Sequence, residues 1–159
     1  MSNSFEVSFN SPQCGWMSIG FTGGGQEFHT TTAHAPHEHA LPELLTVLAD
    51  LLDINKPAFT HILKWNRDPE AFDLVFHKAG ENTKLEIVQY PTDERETAEK
   101  ESVFFFEGDT KDITAAFYET FSQLYADRHT DEFEFNWRQP FPIVEFENFE
   151  SKLKESRTI

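Results

Sequence analysis

A chain of 159 residues with 13 Lys and Arg against 28 Asp and Glu carries a formal net charge of −15. This argues against nucleic acid and anionic membrane as partners, because both are held by cationic surface that displaces counterions. The one cysteine, Cys14, excludes a disulfide within the chain and fits a reducing compartment.

Seventeen Phe, three Trp and three Tyr supply enough apolar area for one core, and the length suits a single domain over residues 1–159. The N-terminal "MSNSFEVSFNS" has no basic run and no apolar stretch of leader length, and no window approaches the roughly 18 apolar residues of a spanning helix. A cytoplasmic location is expected.

"FEVSF" (5–9) alternates Phe5, Val7 and Phe9 against Glu6 and Ser8, the pattern of a half-buried strand. "SPQC" (11–14) reads as a turn with Pro12 fixing φ. Alternation resumes at Met17, Ile19 and Phe21. "GGG" (23–25) is a tight reversal where positive φ is cheap, and "QEFHTTT" (26–32) suits a third strand. In "LPELLTVLADLLD" the apolar residues Leu41, Leu44, Leu45, Val47, Leu48, Leu51 and Leu52 follow a 3.6 period. Pro42 and Glu43 suit the first turn of that helix.

Four more strands are predicted, at "AFTHILKW" (58–65), "AFDLVFH" (71–77), "TKLEIVQY" (83–90) and "SVFFFEG" (102–108). A hairpin at "KAGEN" joins the second and third of these, with Gly80 available for positive φ. "PTDERETAEKE" (91–101) is nearly devoid of apolar residues and reads as a mobile linking loop. "DTKDITAAFYETFSQLYADR" (109–128) is a second helix, with Asp109 and Asp112 at its start and Arg128 at its negative end. The tail holds two short helices split at "QPFP". The order βββ-α-ββββ-α-α predicts an α+β fold: one antiparallel sheet of about 6–7 strands, with two main helices and a short helical C-terminal tail packed on one side.

Four of seven histidines, His29, His34, His37 and His39, fall within "HTTTAHAPHEHALPELL". Zinc takes four tetrahedral donors and imidazole is a good one, so His34, His37 and His39 are candidate metal ligands, with Glu38 and Cys14 as further donors. Against this, Pro36 disfavours the α conformation at Ala35 that would bring His34 and His37 to one face. There is no H-E-x-x-H, and C-x-x-C is impossible. The plainer reading is a polar loop feeding the helix, with imidazoles that titrate near neutral pH.

No G-x-S-x-G elbow frames a serine. "FTGGGQ" lacks the spacing and lysine of a phosphate-binding loop. Cys14 would act as a nucleophile only beside a group that lowers its pKa. No catalytic residue is assigned. Trp16, Trp137 and Arg138 belong to the residue types enriched at binding hot spots and are candidate partner contacts. The acid–aromatic run "EFEFNWRQPFPIVEFENF" reads either as a grip for a basic partner or as an amphipathic tail closing its own core.

At "SPQCGWMSI" (11–19), at "HAP" (34–36) with its leucine-rich helix, and at "FNWRQPFP" (135–142), the chain resembles a family of small acidic uncharacterised bacterial proteins. The resemblance spans most of the chain. It implies a bacterial, cytosolic α+β protein and carries over no catalytic residue. Of the clustered histidines only His34 belongs to its motifs.

The expected function is therefore a non-enzymatic acidic protein-binding domain, immunity- or inhibitor-like, acting on a basic partner and needing no cofactor. The alternative is a zinc- or small-ligand-binding enzyme built on the His34–His39 loop.

Overall fold

A computed structural model describes residues 4–67, 69–95 and 97–157. Strands β1 (Glu6–Phe9), β2 (Trp16–Gly23) and β3 (Gln26–Ala33) lead into helix α1 (Ala40–Leu51). Strands β4 (Ala58–Asn66), β5 (Ala71–Ala79), β6 (Asn82–Tyr90) and β7 (Glu101–Asp109) follow, with a 3-10 turn at Thr97–Glu99 before β7. Helices α2 (Thr110–Asp127), α3 (Phe133–Trp137) and α4 (Ile143–Arg157) complete the chain.

The α+β class matches the expectation, but the single sheet does not. The strands form two antiparallel sheets, ordered β1-β2-β3 and β4-β5-β6-β7. The reason lies at the β3–β4 junction, where α1 intervenes and β3 does not join the ladder of β4. Side chains bridge the seam instead. Thr32 Oγ1 donates to Asn66 O (3.2 Å) and Trp65 Nε1 to Ala33 O (3.3 Å) at one end. Phe105 N donates to Gln26 Oε1 (3.0 Å) at the other.

Within each sheet the alternation sets the faces. Val7 pairs with Phe21, and Phe9 with Ile19, on the inner side of the first sheet. In the second, Trp65 pairs with Phe72, and Phe76 with Leu85. Gly24 and Gly25, at φ 57° and 79°, make the two-residue β2–β3 reversal, the geometry a tight hairpin requires.

One buried apolar cluster draws on both sheets and on every helix. α1 is buried along most of its length, and Asp109 caps α2 by accepting from Lys111 N (2.8 Å). Among the described residues no helix is long and apolar enough to cross a membrane.

Phe117 of α2 sits where the layers meet. Its ring lies 5.9–6.4 Å from those of Phe5, Phe9, Phe21 and Phe76, in tilted and edge-on arrangements, and it is fully buried. Phe117→Ala should lower the unfolding free energy by about 3–5 kcal/mol, read as a shift in the urea midpoint.

Candidate functional site: a cleft where three sequence motifs meet

Cys14 and Gly15 form a two-residue reversal at φ 52° and 84°. Gln13 and Trp16 exchange backbone hydrogen bonds of 2.8 and 2.9 Å across it. Gly15 is the hub that joins this turn to two distant segments. Its N–H donates to Asn136 O (2.6 Å), and its carbonyl accepts from His34 N (3.0 Å). Gln139 Nε2 donates to His34 O (3.3 Å), and the His34 ring meets Trp137 edge-on at 6.4 Å. Segments far apart in sequence, "SPQCGW", "HAP" and "FNWRQPFP", are thereby joined through backbone atoms. The Ala35–Pro36 peptide bond is cis.

A cleft of about 400 Å3 opens here, lined by Cys14, Trp16, Ala33, His34, Asn66 and Asp93 among others. Its far wall comes from the loop after β6, which the sequence suggested was mobile. Arg95 ties that loop down. Its Nη1 meets Asp73 Oδ1 at 2.6 Å and its Nη2 donates to Trp65 O (3.0 Å). Tyr90 donates to the same carboxylate through its hydroxyl (3.2 Å), and the Arg95 guanidinium lies 5.5 Å from the Tyr90 ring centre. Burial, followed by the Asp73 charge, raises the Tyr90 phenol above its usual range. Asn66 Nδ2 donates to Asp93 Oδ1 (2.7 Å) on the cleft wall. Four described non-glycine residues have positive φ, and Cys14, Arg95 and Arg138 are three of them; such backbone persists where surrounding contacts over-determine it.

The clustered histidines occupy separate settings. His29 is exposed on β3 and bonds Glu27 (2.9 Å). His34 lines the cleft. His39 is exposed at the N-cap position of α1 and makes no side-chain cap. His37 Nε2 is buried and finds no hydrogen-bond partner among the described residues. Among the described residues no group of three or more His, Cys, Asp or Glu is placed to hold a metal ion, and no hydrogen bond joins Cys14 to His34.

Trp137, expected as a partner contact, is only 2% exposed and packs into the core. The αL residues Glu132 and Arg138 bound its five-residue helix and turn it inward. Trp16, at 38% exposure, and Arg138 do face outward. Phe135, 76% exposed, was not singled out by the sequence, since in an acid–aromatic run nothing distinguishes the ring that faces out. No family model, curated protein or solved structure matches the chain.

Two outcomes test this geometry. A Cβ at Gly15 would come within 2.8 Å of His34 Cδ2 at a positive φ, so Gly15→Ala should cost about 1–3 kcal/mol of stability, measured by urea unfolding.

The second concerns pH. Burial, with the Arg95 charge second, holds the His37 imidazole below its usual 6.5. The unfolded chain then takes up the proton more readily than the folded one. The stability from neutral His37 is therefore full above about pH 6.5 and is lost as pH falls through the lower folded value. In urea titrations at pH 7 and pH 5, His37→Gln should lose less stability across that interval than the wild type.

Proposed function

We propose that the protein is a non-enzymatic acidic binding domain, immunity- or inhibitor-like, that acts in the cytoplasm on a basic protein partner. The observation that carries this reading is the pair of exposed rings, Trp16 and Phe135, each one residue from the Gly15–Asn136 hydrogen bond. Around them lie Asp131, Glu132 and Glu134, all exposed, in a chain of net charge −15. Ser11 donates to Asp131 Oδ2 (2.6 Å), tying that acid to the same turn. Exposed aromatics on a fixed backbone supply contact energy at low ordering cost. Surrounding carboxylates steer a cationic partner and reject an anionic one. Arg138 at the margin offers a directed hydrogen-bond donor.

The histidine-loop enzyme has less to stand on, because its imidazoles are dispersed and Cys14 lacks a neighbouring base in hydrogen-bond contact.

Affinity capture with the immobilised chain should retain a basic protein at low ionic strength and release it at high. Trp16→Ala combined with Phe135→Ala should weaken that complex by at least about tenfold. Capture that ignores both salt and the two rings would overturn the reading.

A further inference from the structure

A second cavity, of about 550 Å3, shares no lining residue with the cleft. It lies between the C-terminal end of α1, the β5–β6 reversal, the start of α2 and the last turns of α4. At its wall is a cation in an unusual place. Alternation along β5 puts Lys78 in line with Phe72, Leu74 and Phe76, on the core side of the sheet, and Lys78 is only 7% exposed. Its Nζ donates to Asp53 O (3.0 Å), just past the end of α1. That bond uses one of the three donors of an ammonium.

Capping α1 explains the one bond, but a cap does not require a lysine on the core face beside a cavity. Desolvation disfavours the charged form of Lys78, with the Asp53 and Asp50 charges acting the other way, and an anion held on its remaining donors would add to that compensation.

The remaining lining matches a ligand with two unlike ends. Leu51, Leu52, Ile54 and Pro57 give an apolar wall, and Lys111 and Lys152 bring to three the lysines gathered here from a chain with eight. Two nearby carboxylates are turned to the backbone: Asp53 accepts from Asn55 N (2.9 Å) and Asp109 from Lys111 N (2.8 Å). Glu81 and Glu155 also line the cavity, so a ligand carrying one negative charge is tolerated better there than a polyanion. A volume of this size, with an apolar wall facing charged and polar side chains, is that of a small-molecule site.

We propose that this cavity binds a small organic anion with an apolar body, of the medium-chain carboxylate class. The carboxylate rests on Lys78 and the chain lies along Leu51, Leu52 and Ile54.

Titrating the full 15N-labelled chain with octanoate, and with octanol as the uncharged counterpart, tests this. Octanoate should give saturable amide shifts confined to residues 53–55, 80–81 and 110–111. Octanol and the Lys78→Met variant should each bind about tenfold or more weakly. If Lys78→Met loses its native spectrum, Ile54→Asp takes its place. That position is 82% exposed, and a carboxylate at the mouth should weaken octanoate in the same sense. Absence of saturable shifts, equal binding of octanol, unchanged binding in the variant that folds, or shifts centred on Trp16 and Phe135 would overturn the proposal.

Discussion

Ring packing across the gap between the two sheets is the interaction on which the rest depends. The sheets share no ladder, so main-chain hydrogen bonding alone does not hold them as one body. Phe5 stacks on Phe106 at 4.9 Å, Phe21 meets Phe104 at 5.9 Å, and Phe9 reaches Trp65 at 6.1 Å. α2 enters the same cluster through Phe117. α4 joins it through Phe146, which stacks on Tyr118 and Tyr125 at 5.9 and 5.0 Å. Apolar contact of this kind is non-directional, so the edge-on and stacked preferences of the rings supply much of the orientation. The three bridging hydrogen bonds at the seam then fix its two ends.

Periodicity made the elements legible. "FEVSF" and "AFDLVFH" alternate because one face of each strand is buried, and the leucines of α1 recur at helical spacing because it is packed on several sides. The cap at Asp109 was readable for the same local reason. Sheet order was not, since alternation reports which face a residue takes and says nothing of which strand lies beside it. Arg95 was hidden in an acidic loop with no repeating signal, and its partner Asp73 sits 22 residues away on what alternation marks as the outer side of β5. The histidines illustrate the converse: His34, His37 and His39 lie close enough in sequence to suggest shared ligation, yet the cleft, a half-buried loop position and a helix start each take one. Trp137 went inward through two left-handed residues, which no apolar pattern encodes.

The two candidate sites differ in chemistry as well as place. Around Trp16 exposed rings stand beside the cleft in an acidic field, suited to a macromolecule. At Lys78 the surface is concave, with three lysines set among four carboxylates. An acidic protein that places three of its eight lysines at one cavity does so among four carboxylates, and a small anion reaching Lys78 must still cross a repulsive surround. Occupancy there would rise with salt, whereas association at the aromatic face would fall with it.

The bridging side chains at the seam also bear on self-association. β4 and β7 are the edges of the four-stranded sheet, and an open edge is a template for a strand of another molecule. Here Gln26 takes the Phe105 N–H of β7, while Arg95 and Thr32 take the Trp65 and Asn66 carbonyls of β4. Each engaged group is one fewer rung for an incoming chain, on strands that carry the exposed Ile62 and Phe105. The Gln26 and Thr32 contacts that join the sheets, together with Arg95, thus occupy backbone groups on both edges and leave side-chain faces, rather than those groups, as the surface for association.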